Sequence, residues 1–180
     1  MNVTVRGRTR HYRTVAFDAG ANGVLLIEQR LLPHEFKIVT TPDFRATARA
    51  IKDMVVRGAG AIGATAAYGL AQGARDFRGR DLKQFRKHVK VVYQTLKLAR
   101  PTAVDPVNAM NQVLVAMGRG ETVEQQQALA LAAAALEKAL NLGFTDFKWL
   151  AQDPDLDDLR QHPLYESIRA KVRRLKSKKA

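Results

Sequence analysis

The sequence contains no cysteine in its 180 residues, and aromatic residues make up only 7% of it. The missing thiols exclude disulfide bonds, thiolate metal sites and thiol catalysis. No apolar run is long enough to cross a bilayer, and the first residues lack the apolar core of a secretion signal. Histidines and carboxylates show no metal-ligand spacing. We therefore expect a cytoplasmic protein without a metal centre, cofactor or membrane contact.

Acidic residues are scarce: 17 stand against 30 lysines and arginines, for a formal net charge of +13. Seven basic residues and one acidic residue fall in 163–180, and a second basic cluster lies at Arg6, Arg8, Arg10 and Arg13. Terminal basic runs are most often solvated, fraying ends. Nucleic acid stays an open but less favoured partner, since no aromatic-rich RNA platform accompanies the charge.

The order of β-prone and helical patterns predicts an α+β, mostly α fold, with a small N-terminal antiparallel sheet followed by a helical bundle. Hydrophobic residues, at 46%, suffice for a sizeable core. Apolar stretches at 14–17, 23–27 and 36–40 predict three strands, and the Asn22-Gly23 step is typical of a hairpin. Helical periodicity is found at 44–55, 59–77, 81–98, 106–117 and 122–142. The small-residue helix at 59–77 is expected to be central.

Capping and breaking residues set the predicted element ends. Thr41 is predicted to cap the first helix with Pro42 at its first position, Gly58 to end it, and Asp105 to cap the fourth helix. A Gly-Arg-Gly break at 118–120 predicts a domain boundary that separates residues 1–119 from a helical extension at 120–180.

Two segments place an arginine beside a helix start: Arg57-Gly58-Ala59, and Arg100 before Pro101. Helix N-termini present free N–H groups and the positive end of the helix dipole, and guanidinium groups bind phosphate as a planar fork. The pattern therefore indicates a phosphate site. Spacing alone leaves a structural alternative open, in which Arg57 caps the preceding helix and Arg100 pairs with a carboxylate such as Asp105.

The sequence offers no equally good candidate for catalysis. Residues 58–63 satisfy the G-x-G-x-x-G pattern of dinucleotide sites, but they follow a helix instead of a strand, so the match is accidental. His34 is expected to be a surface or hydrogen-bonded residue. The other histidines, His11, His88 and His162, are isolated at positions that look exposed. No acid/base pair for proton transfer is evident.

Read together, these motifs resemble the methylthioribose-1-phosphate isomerase family, whose relatives include the regulatory subunits of translation initiation factor 2B. Family members carry Asp-Gln-Arg-Leu-Leu-Pro at 28–33, Arg-Gly-Ala-Pro-Ala-Ile-Gly at 57–63 and Arg-Pro-Thr-Ala-Val-Asn at 100–105. This chain has Glu-Gln-Arg-Leu-Leu-Pro, Arg-Gly-Ala-Gly-Ala-Ile-Gly and Arg-Pro-Thr-Ala-Val-Asp there. The resemblance covers about residues 12–117 and corresponds to the smaller N-terminal domain of the family.

The resemblance implies that Arg57, Gly58 and Ala59 lie on the loop that meets a substrate sugar phosphate, with Arg100 reaching the same cleft. In that family the catalytic cysteine and aspartate belong to a larger C-terminal domain, for which 180 residues leave no room. We therefore expect a truncated member that retains sugar-phosphate contacts, has no catalytic residues and is inactive alone. The alternative is a non-catalytic interaction or regulatory module, with a protein partner or a second copy covering the face of the missing domain.

Two departures from the family pattern lie at the predicted site. Gly60 replaces a proline and relaxes a rigid turn, and Asp105 replaces an asparagine and adds a negative charge. Both predict weaker phosphate affinity. Farther along, residues 139–168 resemble the last unit of a tetratricopeptide array; one such unit is expected to cover apolar surface instead of building a binding groove.

Overall fold

The computed structural model describes residues 2–5 and 7–141. The strands in this part of the chain are β1 (Asn2–Val5), β2 (Arg8–His11), β3 (Val15–Asp18), β4 (Gly23–Ile27) and β5 (Ile38–Thr41). The helices are α1 (Phe44–Lys52), α2 (Ala59–Arg75), α3 (Leu82–Ala99), α4 (Val104–Met117) and α5 (Val123–Asn141). This order confirms the predicted class, a small antiparallel sheet followed by a helical bundle. The tetratricopeptide-like end and the basic tail lie outside the described residues.

Strands β3, β4 and β5 form an antiparallel sheet in that order, as predicted. Val15 pairs with Leu26, and Val24 pairs with Thr41. The β3–β4 turn reaches Asn22, which adopts a positive φ of 50°, a conformation that asparagine tolerates well. The hairpin signal at Asn22-Gly23 is therefore confirmed.

A second hairpin, formed by β1 and β2, was not predicted. Arg8 and Arg10 belong to β2, which pairs antiparallel with β1, and Gly7 turns the chain with a φ of 75°. The run of basic residues predicts a solvated, fraying end for these arginines. That interpretation is wrong for β2, although its side chains are exposed as expected. Alternation of short polar and basic residues gave no apolar face from which a strand could be recognised.

Helix α2 is the centre of the bundle, as predicted: every residue from Ala61 to Ala74 is buried. Its small side chains let neighbouring helices approach closely. A Cβ added to Gly73 would lie 2.5 Å from a Val92 methyl on α3, and one added to Gly69 would lie 2.9 Å from Leu96. Close packing, more than intrinsic helix propensity, therefore stabilises this glycine-rich helix.

The sheet is fastened to α2 by Gln72, whose side chain is fully buried. Its Nε2 donates to the carbonyl oxygens of Asn22 and Thr41, both at 2.8 Å. Its Oε1 accepts from the Thr47 hydroxyl at 2.8 Å. One amide thus satisfies polar groups from the hairpin turn, β5 and α1.

Three predicted helix ends are wrong. Asp43, not Thr41, caps α1, because its carboxylate accepts from the Ala46 N–H at 2.8 Å while Thr41 is held in the sheet. Helix α1 ends at Lys52, well before Gly58, which instead precedes α2. Helix α4 starts at Val104 with Ala103 as its cap, so Asp105 lies inside the first turn.

Residues Met1–Leu142 form one compact unit, in which α5 packs against α2 and α4. The predicted boundary at 119 and 120 falls inside this unit, between α4 and α5. None of the described helices is long and apolar enough to cross a membrane.

Candidate functional site

Helix α2 begins at an uncapped end. Gly58 occupies the cap position with φ 90° and ψ 134°, and no side chain accepts a hydrogen bond there. The first N–H groups of a helix have no partner within it, and the helix dipole adds partial positive charge at this end. Gly58 and Ala59 are exposed, so the start of α2 lies at the surface.

We predict that Gly58→Ala lowers the free energy of unfolding by about 1–2 kcal/mol, because only glycine adopts this backbone conformation without strain. The added Cβ would meet no atom within 4 Å, so steric overlap contributes nothing. Chemical denaturation measures the change, with Gly118→Ala as the control, since Gly118 has an ordinary φ of −60°. Equal effects in the two variants would contradict the strain account.

Arg57 lies on the loop immediately before this helix end. Its backbone N–H donates to the Gln29 side-chain oxygen at 2.5 Å, and the Gln29 N–H donates to the Val55 carbonyl at 2.9 Å. Gln29 therefore ties the segment after β4 to the loop at both Val55 and Arg57. The Arg57 side chain is exposed, and no hydrogen bond or ion pair to the described residues occupies its guanidinium.

Beneath this loop, Glu28 and Arg30 form an ion pair at 2.6 Å. Glu28 is only 5% exposed and also accepts from the Arg30 Nε–H at 2.8 Å. The Arg30 guanidinium contacts the Asp53 carbonyl at 3.4 Å, at the end of α1. Hydrogen bonding from Arg30 lowers the pKa of the Glu28 carboxyl, against the opposing effect of burial.

This ion pair predicts an acid-sensitive contribution to stability. Because the folded-state pKa of Glu28 is lowered, the contribution is present above the ordinary carboxyl pKa and is lost as the pH falls through the folded-state value. Wild type should exceed Glu28→Gln in stability at neutral pH, and the difference should shrink toward pH of about 3. Urea denaturation across this range tests it; a difference independent of pH would contradict it.

Arg100 contacts the same loop from the end of α3. It caps the C-terminal end of α3, and its guanidinium donates to the sulfur of Met54, a residue with a φ of 59°. Met54 and Arg57 belong to the one short connection between α1 and α2. The structure therefore brings Arg100 to the loop that carries Arg57.

The structural alternative finds no support in the described residues. Arg100 contacts Met54, and the ion pair found there joins Arg30 to Glu28, not Arg100 to Asp105. Arg57 lies five residues beyond Lys52, the end of α1, and does not cap that helix. The two arginines are thus not committed to carboxylates in this part of the chain.

The supporting residues Gln29, Glu28, Arg30 and Met54 were not assigned roles from the sequence. The first three lie in the motif at 28–33, which indicated the family resemblance but no role for its residues. Met54 gave no signal, because an apolar residue near a helix end looks like one more core position. Pairing between segments that are distant in sequence decides their role, and periodicity cannot show it.

The histidines do not assemble a catalytic centre in the described part of the chain. His34 and His11 are exposed. His88 was expected to be exposed but is half-buried, with Nε2 2.7 Å from the Gly73 carbonyl and its ring beside Phe77. Among residues 2–5 and 7–141, no cluster of histidines and carboxylates could hold a metal ion. His162 lies outside the described residues.

These features define a class of site: an exposed helix N-terminus with one arginine on its loop and a second arginine in contact with that loop. Residues 55–142 match the family model of the Initiation factor 2 subunit family. This part of the chain is therefore similar to members of that family. The match includes α2 and continues through α4 and α5, beyond the 12–117 span of the resemblance seen in the sequence.

The similar proteins fall on both branches of the resemblance. The chain is 46% identical over 112 residues to methylthioribose-1-phosphate isomerase of Synechocystis sp., covering 62% of this chain and 32% of that protein. The isomerase 1 of Pseudothermotoga lettingae is 38% identical over 115 residues, covering 64% of this chain and 33% of that protein.

Two solved structures share the fold. The delta subunit of translation initiation factor eIF-2B from A. fulgidus matches with a TM-score of 0.66 and 34% identity, over 71% of this chain and 36% of that one. The 5-methylthioribose 1-phosphate isomerase of Pyrococcus horikoshii OT3 matches with a TM-score of 0.65 and 35% identity. This match covers 69% of this chain and 35% of that one. The chain thus spans about a third of the length of the curated relatives it matches.

Proposed function

We propose that this chain binds the phosphate of an aldose phosphate, of the methylthioribose-1-phosphate class, at the start of α2. The observation that carries the proposal is the Arg57 guanidinium, which no described residue binds, beside the uncapped N-terminus of α2, with Arg100 in contact with the same loop. Support also comes from the relatives, which are methylthioribose-1-phosphate isomerases.

The chemistry of the proposed site is recognition and orientation. Arg57 supplies a planar pair of donors for phosphate oxygens, and the free N–H groups of Ala59 and the following residues add donors along the helix dipole. Arg100 contributes a second positive charge. Isomerisation also needs proton or hydride transfer, for which the described residues offer no acid/base pair. The chain would take part in methionine salvage or a related aldose-to-ketose isomerisation only where a catalytic domain completes the site.

Titration calorimetry with methylthioribose-1-phosphate tests the proposal. Arg57→Gln and Arg100→Gln should each weaken binding about tenfold or more, since a charge-assisted hydrogen bond contributes about 1.5–3 kcal/mol. Arg119→Gln is the matched control, because it removes the same charge from the far end of α4, about 21 Å from the Arg100 end.

Circular dichroism of each variant separates loss of binding from loss of fold. Absence of heat at ligand concentrations of about 10 mM would contradict a retained site. Equal weakening by Arg119→Gln would show that net charge, not the proposed site, attracts the ligand. Catalytic turnover is not required for the proposal to hold.

A second candidate function, a protein-interaction or regulatory module, is favoured by one observation. Four apolar side chains are largely exposed on α3 and α4: Val91 at 55%, Leu98 at 68%, Val104 at 65% and Val115 at 59%. One similar structure is the delta subunit of a translation initiation factor. A partner or a second copy would cover this apolar surface.

Sedimentation equilibrium tests the version with a second copy. A self-associating wild type that becomes monomeric on Leu98→Ser and Val104→Ser would support it, with exposed Thr102→Ser as the control. A wild-type monomer at concentrations of about 100 μM would contradict self-association through this surface.

A further inference from the structure

A cleft of about 310 Å³ opens between α3, α4 and α5, and none of the residues assigned to the phosphate site lines it. Its lining residues come from all three helices and the α4–α5 connection: Phe85, Arg86, Val89, Lys90, Tyr93, Leu114, Met117, Gly118 and Gln126. The floor is apolar, since Phe85, Val89 and Met117 are buried core residues. Pockets for small ligands commonly combine such a floor with a few polar groups.

Two of the polar lining groups are already satisfied. The Tyr93 hydroxyl donates to the Asn111 side-chain oxygen at 3.0 Å. The Gln126 Nε2 donates to the Gly120 carbonyl at 2.7 Å. The charged side chains among the lining residues are those of Arg86 and Lys90.

Arg86 and Lys90 lie four residues apart on α3, so they share one face of that helix. Both are exposed, and neither takes part in an ion pair with the described residues. Helix α3 carries five basic residues and no acidic one, and no carboxylate is among the described lining residues. Two cationic side chains therefore border an apolar cleft on its α3 side.

We propose that this cleft binds a medium-chain, unbranched monocarboxylate, with its alkyl chain on Phe85 and Met117 and its carboxylate at Arg86 and Lys90. The charge at the mouth selects an anion, and the apolar floor selects an alkyl chain over a sugar or a nucleotide. The volume lies at the lower end of ligand pockets, about 300–1,000 Å³, which limits the chain length. This site is independent of the proposed function.

Titration calorimetry with sodium octanoate tests the inference. Saturable binding is expected at one site per chain, with n-octanol weaker by about tenfold because it lacks the charge. Arg86→Gln with Lys90→Gln should weaken octanoate about tenfold or more. The matched control, Lys83→Gln with Lys87→Gln, removes two charges from the same helix outside the lining and should leave affinity unchanged.

A third variant, Leu114→Trp, fills the cleft and should abolish binding while leaving phosphate-ligand titrations unaffected. If Leu114→Trp fails to fold, the double variant Arg86→Gln with Lys90→Gln still tests the inference, because both residues are exposed. Three results would overturn the inference: no saturable heat with octanoate up to about 10 mM, equal weakening in the two double variants, or undiminished binding in folded Leu114→Trp.

Discussion

Replacing Gln72 with alanine is expected to lower the free energy of unfolding by about 3–5 kcal/mol. The side chain is fully buried, and its amide makes three hydrogen bonds: two to the carbonyls of Asn22 and Thr41 and one from the Thr47 hydroxyl. Alanine would leave these buried groups without the hydrogen bonds of the amide, and it would also leave a cavity. Both effects destabilise the folded state.

Urea denaturation at neutral pH measures this change. Gln94→Ala is the control, because Gln94 lies exposed on α3 and its truncation should cost less than about 0.5 kcal/mol. Gln72→Glu adds a second comparison, since it keeps the shape but replaces donors with acceptors that face two carbonyls. If Gln72→Ala cost no more than the control, the amide would not fasten the sheet to α2.

Replacing Gly73 with valine is expected to cost about 3 kcal/mol or more, because the close approach of α2 and α3 leaves no room for a side chain. A Cβ there would lie 2.5 and 2.7 Å from the two Val92 methyls and 3.2 Å from the Phe44 ring. Val92 is fully buried and β-branched, so it has few alternative rotamers.

Thermal and urea denaturation measure the Gly73→Val change. The second variant, Gly73→Val with Val92→Ala, removes the methyls that a new side chain would meet and should recover part of the loss. Gly118→Ala is the control for glycine replacement alone, since its nearest atom lies 3.5 Å away. If Gly73→Val left the free energy of unfolding unchanged, α2 and α3 would separate easily. That result would contradict their close packing.

Much of the fold could be predicted from the sequence because its signals are local. Short β-prone stretches and a turn dipeptide predicted β3 and β4, and small apolar residues predicted that α2 is central. Element ends were less predictable, since Asp43 and Thr41 are both good caps and only the sheet pairing of Thr41 decides between them. Hairpin β1–β2 lacked an apolar face and was therefore missed.

The residues of the candidate site could be predicted from the sequence, but the residues that hold its loop in place could not. Arg57, Gly58 and Arg100 stood out through their residue types and their places beside helix ends. Gln29, Glu28 and Met54 act through contacts between segments far apart in the sequence, such as the Gln29 hydrogen bond to Arg57. No local pattern reports such pairing. The roles of Arg57, Gly58, Ala59 and Arg100 in ligand binding stay predictions.

The central claim is that the start of α2, with Arg57 and Arg100, is an anion site. Backbone amide NMR during titration with methylthioribose-1-phosphate tests it most directly, because the amides of Gly58, Ala59 and Gly60 would receive the phosphate. Our account predicts saturable shifts at these amides, absent in Arg57→Gln, with little change along α5. Shifts confined to the basic face of α3, or none at ligand concentrations of about 10 mM, would contradict it.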